Sequence, residues 1–386
     1  MPLTKLSEDQ RLVLTQCSKL IEQPKWIEGF AGSGKTILLV HAIQNYVQKN
    51  PDSKVCVVVF THALIDMISS GISPELHDRI PVMTYLNFVN KDKNYYNLVV
   101  IDEVQDIPAN ILSIIHKRAK SILVGGDDAQ SIYKSGSRAE KIESILHPHR
   151  MKLTMNHRLT RKIINVVKNI LPDNNMVTDV SGKKAEVKVT LARADSLELE
   201  LKWVWRQSKR STDLHRPSVV VLPNHDEIQH FMRFVAQQEG WSTPVYPNNR
   251  WKEHDYFAVN QYLLKISSGI CLQYLGNGYG SLKDSDARPV VYVMTYHSIK
   301  GLDFLTVFLP LLTSSTSFWK DFHSPEESAN IDRRLFFVGV TRSSCNLFMS
   351  YHGEEPHLYV REMPQEDLHK IEINSIIEND DDEVIF

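Results

Sequence analysis

The stretch Gly29–Thr36, which reads G-F-A-G-S-G-K-T, decides the fold of this chain. It matches the G-x-x-x-x-G-K-[ST] phosphate loop, whose backbone N–H groups and lysine surround phosphate oxygens. Apolar residues recur at helical spacing over Thr36–Val47, so the loop leads directly into a helix. A helix N-terminus offers unpaired N–H groups and the positive end of its dipole to an anion. The stretch therefore predicts a nucleoside triphosphate site where a strand meets a helix in an α/β domain.

An acidic pair lies downstream of this loop. The apolar run Leu98–Ile101 ends at Asp102 and Glu103, as a strand followed by two acids would. A nucleotide site needs such acids, one for magnesium and one to orient the attacking water. We expect Thr36 and Asp102 to hold Mg²⁺, and Glu103 to act as the general base. The alternative is a solvated acidic loop, which does not explain why the acids follow an apolar run so abruptly. Together the two motifs predict binding and hydrolysis of ATP.

Composition excludes several classes of protein. The chain has 386 residues, 42% hydrophobic and 23% charged, which is typical of a globular protein of two or three domains. Its start lacks the apolar segment of a signal peptide, and no apolar run approaches the ~18–20 residues that span a bilayer. The cysteines lack C-x-x-C spacing, which argues against a zinc site or a disulfide framework: Cys17, Cys56, Cys271 and Cys345. We therefore expect a cytoplasmic protein with no membrane segment.

Charge is distributed unevenly along the chain. The net charge is −2, but residues 366–386 contain eight acids and one base, a net of −7. The remaining residues therefore carry +5. A mildly basic body with an acidic tail is compatible with a polyanionic ligand, although scattered surface lysines would give the same sum.

The order of apolar segments predicts two tandem α/β domains. Short runs rich in β-branched residues alternate with helical patterns in both halves, as in parallel sheets. The predicted strands are Val55–Phe60, Leu98–Ile101, Ser121–Gly125, Ser218–Leu222, Val290–Met294, Val307–Leu309 and Leu347–Tyr351, and the predicted helices of the second half are Asp226–Gln238 and Asn260–Ser268. We place an N-terminal domain at residues 1–150, a C-terminal domain at 151–365 and an acidic tail at 366–386. The nucleotide site is expected at the junction of the two domains.

Further residues carry chemistry that hydrolysis needs. Gln130 follows the third predicted strand, where its amide can hydrogen-bond the attacking water or the γ-phosphate. A plain polar turn explains this glutamine equally well. Positive charge must also meet the charge that develops in the transition state, and Arg158 and Arg342 are candidates, with Arg334 a third. Taken alone, each arginine is more simply interpreted as a surface residue.

The whole set of motifs, in this order, resembles the superfamily 1 helicases of the UvrD/Rep type. Besides the phosphate loop, seven collinear matches carry the resemblance: Leu6–Gln10, Phe60–His62, Asp102–Asp106, Gly126–Tyr133, Asn156–Arg158, Thr295–Phe304, and Arg333–Leu335 with Val340–Arg342. The acidic motif has the form D-E-x-Q-D, and Thr295–Phe304 resembles T-x-H-x-x-K-G-L-E-F. The resemblance implies an α/β fold of two tandem RecA-like parallel-sheet P-loop domains, with ATP and Mg²⁺ as cofactors.

The resemblance also implies roles for individual residues. The implied ATP-binding residues are Gln10 as the adenine reader, Gly29, Gly32, Ser33, Gly34, Lys35 and Thr36 in the loop, and Asp303 at the ribose, where the family usually has the longer glutamate. The implied catalytic residues are Lys35, Glu103, Gln130, Arg158 and Arg342, the two arginines acting as fingers from the start and the end of the second domain. The candidates for contacting a single-stranded nucleic acid, with DNA favoured, are Phe60, Thr61, Thr84, Tyr133, Thr295 and His297.

The chain also departs from the family. Most members carry large accessory domains, but only residues 89–97 separate Phe88 from the strand at Leu98. The family has an aromatic residue and an arginine where this chain has Ser135 and Gly136, and an aromatic platform is worth ~1–3 kcal/mol per stacked base. Two functions therefore stay open. One is an ATP-dependent single-strand translocase or helicase; the other is an ATP-gated subunit that binds DNA or a partner without processive unwinding.

The last residues, Asn379–Phe386, form an acidic run that closes on apolar residues. This segment resembles the docking tip of bacterial single-stranded-DNA-binding proteins, which end D-D-x-I-P-F. Such a tip places its phenylalanine in a pocket and its carboxylate on a basic residue. The resemblance implies a protein partner that docks on this segment, and a solubilising tail is the alternative.

Overall fold

The computed structural model describes residues 6–17, 23–127, 130–133, 135–171, 189–242, 256–319 and 325–373, and every structural statement below refers to these residues. They form two compact units that divide between Arg158 and Leu159. The predicted docking segment Asn379–Phe386 lies outside the described residues. Among the helices that are described, none combines the length and the apolar character needed to cross a bilayer.

The first unit is built on a sheet of six parallel strands. The described strands of this unit are β1 Lys25–Glu28, β2 Val55–Val59, β3 Val82–Thr84, β4 Tyr96–Ile101, β5 Ala119–Gly126 and β6 His149–Lys152. Its described helices are α1 Glu8–Cys17, α2 Lys35–Lys49, α3 His62–Gly71, α4 Tyr85–Asn90, α5 Ala109–Lys117 and α6 Ala139–Leu146. The strand order is β3-β2-β4-β5-β1-β6, so β5 lies between β4 and β1.

Continuous apolar runs form the central strands of this sheet. β2 reads V-C-V-V-V and all of its residues are buried, and so are residues 98–101 of β4. A parallel sheet that is covered on both faces needs such runs, because neither face meets water. Since the strands run in one direction, the loops that follow β1, β4 and β5 meet at one edge of the sheet. That edge carries the phosphate loop, the acidic pair and Gln130.

The second unit contains a parallel sheet of seven strands in the order β13-β7-β12-β11-β8-β10-β9. The described strands of this unit are β7 Val189–Ala194, β8 Ser218–Leu222, β9 Cys271–Tyr274, β10 Val290–Thr295, β11 Phe304–Leu309, β12 Ser343–His352 and β13 Leu368–Glu372. Its described helices are α7 Arg161–Val167, α8 Leu197–Arg210, α9 His225–Gln238, α10 Tyr256–Ile266, α11 Pro325–Val340 and α12 Leu358–Arg361. Thr295 ends β10, and Arg342 lies between α11 and β12.

The predicted fold class is confirmed, since both sheets are parallel and their strands alternate with helices along the chain. Each predicted strand has a counterpart; Val55–Phe60, for example, is β2, and the helix predicted at Asp226–Gln238 is α9. Sequence analysis missed short strands that contain charged residues, among them β6, which pairs with β1. Because β6 belongs to the first sheet, the boundary predicted after residue 150 falls inside this strand, and the first unit continues to Arg158.

A fully buried carboxylate joins α8 to the sheet of the second unit. Glu200 accepts hydrogen bonds from the Leu311 N–H (2.7 Å), the Ser350 hydroxyl (2.7 Å) and Nδ1 of His352 (2.6 Å). Its side chain is 0% exposed, whereas that of His352 is 31% exposed. The hydrogen bond and the charge of Glu200 raise the pKa of His352 above its usual value, although partial burial opposes the shift.

We predict that Glu200→Ala lowers the free energy of unfolding by about 3–5 kcal/mol, because it leaves two buried donors, the Leu311 N–H and the Ser350 hydroxyl, and the partly exposed His352 without their acceptor.

The contribution of His352 should depend on pH. Since its folded-state pKa is raised, its stabilisation is fully present below the unfolded pKa of about 6.5 and is lost as the pH rises through the folded value. Urea denaturation should therefore show a larger deficit for His352→Gln at pH 5.5 than at pH 8.5. His215→Gln is the matched control, because its pair with Asp286 is exposed. An equal deficit at both pH values for His352→Gln would contradict the prediction.

Candidate functional site

The phosphate loop forms the turn between β1 and α2. Gly32 has φ +83° and Gly34 has φ +91°, backbone conformations that favour glycine. Lys35 is the first residue of α2. Its side chain folds back onto the loop, where its ammonium donates to the carbonyl oxygens of Gly29 (2.8 Å) and Phe30 (3.1 Å). The lysine charge therefore lies within the loop, as a site for phosphate oxygens requires.

Thr36 and Asp102 are 66 residues apart in sequence and are joined by a hydrogen bond. The Thr36 hydroxyl donates to Oδ2 of Asp102 at 2.6 Å. Burial and the adjacent charge of Glu103 raise the pKa of Asp102, while Thr36 and Lys35 oppose that shift. A hydroxyl and a carboxylate are hard oxygen ligands of the kind that Mg²⁺ binds. The two side chains therefore fit the magnesium site predicted from the sequence, and a bound cation would favour the ionised form of Asp102.

Glu103 has a strained backbone. Its φ of +53° and ψ of +52° are left-handed, which costs a non-glycine residue about 1–3 kcal/mol. Its N–H donates to Oδ1 of Asp102 at 3.0 Å, and its carboxylate accepts from Nε2 of Gln105. The Glu103 side chain is buried beside the Thr36–Asp102 pair rather than spread into solvent. Strain of this kind concentrates at functional sites, which is consistent with the predicted role as general base.

Gln10, at the start of the chain, packs directly on the phosphate loop. Its Nε2 donates to the Ser33 carbonyl at 2.9 Å, and its Oε1 accepts from the Ser7 N–H at 3.1 Å. A Cβ at Gly34 would lie 2.4 Å from Nε2 of Gln10, so this contact also requires glycine in the loop. The structure thus brings Gln10 to the nucleotide loop, and the contact with adenine stays a prediction.

The segment Asn156–Arg158 closes over the other side of the loop. Nδ2 of Asn156 donates to the Ala31 carbonyl at 2.8 Å, and the His157 N–H donates to the Gly32 carbonyl at 2.8 Å. The Arg158 N–H donates to Oδ1 of Asn156 at 3.0 Å. Arg158 was expected at the start of the second domain. The structure corrects this expectation, because these bonds attach it to the phosphate loop of the first unit.

Two buried glutamines lie at this edge of the sheet, Gln105 within the acidic motif and Gln130 after β5. Nε2 of Gln130 donates to Oδ2 of Asp127 at 2.6 Å, which holds Gln130 at the sheet edge where the acidic pair lies. Gln105 is 0% exposed; its amide contacts the Glu103 carboxylate and, through Oε1, the Asp127 N–H at 3.1 Å. Sequence reasoning assigned no role to Gln105. The available signal was its place in the D-E-x-Q-D motif, two residues after the predicted general base.

Three aromatic side chains cluster near the same edge of the first sheet. The ring of Phe60 lies 4.2 Å from that of Tyr133 and 5.2 Å from that of Tyr85, centroid to centroid. All three side chains are partly exposed. The cluster provides aromatic surface in the unit that has Ser135 at the family's aromatic position, and aromatic faces are what unpaired bases stack on.

The two threonines expected to contact the strand differ in environment. The Thr84 hydroxyl accepts from the Asn87 N–H at 3.3 Å and caps α4, and the residue is 4% exposed. Thr61 immediately precedes α3 and is partly exposed. Thr84 therefore has a structural role in the described unit, and strand contact by either threonine stays a prediction.

In the second unit, Thr295 and His297 lie at the carboxyl end of β10. The Thr295 hydroxyl donates to Oγ of Ser298 at 3.0 Å and accepts from the Ser298 N–H at 3.1 Å. The His297 ring lies 5.4 Å from the partly exposed ring of Trp319. Burial, with the charges of Lys300 and His225, lowers the pKa of His297 to about 4. His297 is therefore neutral at pH 7 in this structure.

Arg342 and Asp303 also belong to the second unit. Nε of Arg342 donates to the Val338 carbonyl at 3.0 Å, and its guanidinium also donates to the Thr341 hydroxyl at 3.3 Å. Arg342 is 1% exposed, whereas Asp303 is exposed. The finger role of Arg342 and the ribose contact of Asp303 stay predictions.

Comparisons with known families agree with the motif order. Residues 260–354 match the UvrD-like helicase C-terminal domain, and residues 15–136 match an AAA domain. The first match includes the Thr295–Phe304 motif and Arg342, and the second includes the phosphate loop and the acidic motif. The resemblance to UvrD/Rep-type superfamily 1 helicases that the sequence predicted is thereby confirmed.

The chain is also similar to individual proteins. It is 31% identical over 122 residues to the ATP-dependent DNA helicase Rep of Buchnera aphidicola subsp. Baizongia pistaciae, over 28% of this chain and 17% of Rep. It is 32% identical over 110 residues to DNA helicase II of Haemophilus influenzae, over 25% of this chain and 15% of that protein. The matches thus span less than a fifth of either relative. Among solved structures, the arterivirus nonstructural protein 10 helicase with DNA matches 86% of this chain and 62% of its own, at 15% identity and a TM-score of 0.41.

We predict that Gly32→Ala weakens ATP binding about tenfold or more, that is, by at least ~1.4 kcal/mol. A Cβ at this position would lie 2.5 Å from Cβ of Arg158 and 2.8 Å from Oδ1 of Asn156, and φ is +83°. The matched control is Gly71→Ala, whose Cβ would meet only Val40, at 3.6 Å. Fluorescence anisotropy with a labelled ATP analogue measures both affinities. Native affinity in Gly32→Ala would show that the loop is not packed as described.

Proposed function

We propose that the chain is an ATP-dependent motor on single-stranded nucleic acid, a translocase or helicase that hydrolyses ATP with Mg²⁺. The observation that carries this proposal is the bond of 2.6 Å between the Thr36 hydroxyl and Asp102. It unites the phosphate loop with the acidic motif, the two parts that a phosphoryl-transfer site must bring together. The names of the two relatives, both DNA helicases, favour DNA as the strand.

In this proposal the residues of the first unit have distinct tasks. Lys35 would neutralise phosphate charge, and Thr36 and Asp102 would hold a magnesium ion, which would supply positive charge to the site. Glu103 accepts a proton from the attacking water, and Gln130 orients that water. Arg158 and Arg342 would supply positive charge in the transition state, which arginine fingers do at a gain of ~10³–10⁵ in turnover.

The strand would be bound by aromatic and neutral polar groups. The Phe60, Tyr85 and Tyr133 rings supply a stacking surface, and base stacking is worth ~1–3 kcal/mol per base. His297, with a pKa near 4, would act without charge.

We further infer a cytoplasmic location, which the free thiols of the cysteines support. We also propose a protein partner for the Asn379–Phe386 segment.

A second function belongs to another class: an ATP-gated subunit that holds DNA or a partner protein and releases it on hydrolysis. One observation favours it. The exposed Ser135 stands at the position where the family has an aromatic residue, so part of the stacking platform is absent from the first unit. The complete Thr295–Phe304 motif at the end of β10 favours the motor instead.

Two measurements test both proposals. The first is steady-state ATP hydrolysis with and without oligo-dT. The second is displacement of a triplex-forming strand from DNA that has a single-stranded flank. The motor predicts stimulated hydrolysis and ATP-dependent displacement. The gated subunit predicts stimulation without displacement. No hydrolysis under either condition would contradict both.

Two variants make this test specific. Lys35→Ala should lose tight ATP binding because it removes the charge within the loop. Glu103→Gln should bind ATP but hydrolyse it ~10²–10⁴ times more slowly, because general base catalysis contributes that factor. In a gated subunit, Glu103→Gln should remain on the strand in the presence of ATP. Native turnover in Glu103→Gln would remove this residue from the catalytic role.

A further inference from the structure

Gln105 occupies a position where its side chain makes two hydrogen bonds of opposite sense. Nε2 donates to the Glu103 carboxylate, and Oε1 accepts from the Asp127 N–H at 3.1 Å. The partners fix the orientation of the amide, because a backbone N–H needs an acceptor and a carboxylate needs a donor. Gln105 is 0% exposed, so both bonds are shielded from water. It therefore connects the candidate general base, after β4, with the backbone at the end of β5.

The backbone of Gln105 holds the far end of the same loop. The Ser137 N–H donates to the Gln105 carbonyl at 2.9 Å. A Cβ at Gly136 would lie 2.3 Å from that carbonyl oxygen, and a Cβ at Gly126 would lie 2.5 Å from Oε1 of Gln105. Glycine on each side of the loop thus permits the close approach of Gln105. Gln105 therefore bonds to both ends of the segment 127–137, at Asp127 and at Ser137.

This anchored segment carries groups for both halves of the proposed function. Gln130 lies in it and is bonded to Asp127 at 2.6 Å. Tyr133 also lies in it, and its ring is 4.2 Å from that of Phe60 in the aromatic cluster. The Gly136 N–H donates to the Tyr133 carbonyl at 3.0 Å, and Gly136 is next to Ser137, whose N–H bonds to the Gln105 carbonyl, so hydrogen bonds of the described residues connect Tyr133 with Gln105.

We propose that Gln105 is a positioning residue that couples occupancy of the aromatic cluster to the orientation of the Glu103 carboxylate. The inference rests on the proposed function, since it takes the strand to bind at Phe60 and Tyr133 and Glu103 to be the general base. Gln105 touches neither the strand nor the nucleotide in this account. It acts through Glu103 on one side and through the 127–137 loop on the other.

The chemistry explains why the residue is glutamine. Glutamate has the same size and keeps an acceptor for the Asp127 N–H, but it cannot donate to Glu103 and adds a negative charge beside it. Methionine has a similar length and neither hydrogen-bonding function. Gln105→Glu therefore breaks one connection, and Gln105→Met breaks both.

The test compares these two variants with the whole wild-type chain. ATP hydrolysis is measured over a range of ATP concentrations, with and without oligo-dT. Gln44→Met is the matched control, because Oε1 of Gln44 likewise accepts a backbone N–H, that of Ser73, at 2.8 Å, outside the loops of the site. Affinity for a labelled ATP analogue and thermal unfolding are recorded for each variant to confirm folding.

We expect Gln105→Met to keep the wild-type KM for ATP within about twofold. Its strand-stimulated kcat should fall about tenfold or more, which is part of the ~10²–10⁴-fold that a positioned base contributes to the rate. Its ratio of stimulated to basal turnover should fall towards one. Gln105→Glu should show a loss of at least the same size, because it removes the donor to Glu103 and adds a negative charge beside it.

Two results would overturn the inference. The first is a stimulation ratio equal to that of wild type in both Gln105 variants, with a wild type that is stimulated; the proposed function would then stand without the coupling. The second is a loss of the same size in Gln44→Met, which would make the effect one of general packing. A wild-type chain that hydrolyses ATP but ignores oligo-dT would overturn the coupling together with the motor.

Discussion

The structure of the site depends on one constraint, the parallel direction of β1, β4 and β5. Because these strands end at the same edge of the sheet, the loops that follow them meet, although they are distant in sequence. The hydrogen bond between Thr36 and Asp102 is the direct consequence, and it spans 66 residues. The left-handed backbone of Glu103 and the buried amide of Gln105 lie at this same edge.

Most of the fold could be predicted from the sequence, since the central strands are apolar runs that only a sheet buried on both faces would use. β2 and β8 are examples, and the structure places them within one residue of the predicted limits. Strands with charged residues could not be found in this way. β6 reads H-R-M-K, and its pairing with β1 is decided by tertiary packing, which overrides the weak local preference. For this reason the first unit extends beyond the predicted boundary.

The residues of the nucleotide site were predictable because phosphate and magnesium chemistry demands particular residue types in a fixed order. Thr36 and Asp102 were identified on that ground, and the structure brings them together. Gln105 could not be assigned a role, because its side-chain contacts depend on the neighbours that β5 supplies, Gly126 and the Asp127 N–H. Arg158 was attributed to the wrong domain for a similar reason. It is attached to the phosphate loop by its hydrogen bond to Asn156, which in turn bonds to the Ala31 carbonyl, and sequence spacing does not indicate these contacts.

We propose that Thr36 and Asp102 together form one magnesium site. ATP affinity, measured with Mg²⁺ and with EDTA in the wild type and in Thr36→Val, tests this proposal, because valine preserves the shape of threonine but removes the hydroxyl. We expect wild type to bind ATP more tightly with Mg²⁺, and Thr36→Val to lose most of this difference while its affinity in EDTA stays at the wild-type value. A Thr36→Val chain that keeps the full magnesium dependence would show that Thr36 does not hold the ion.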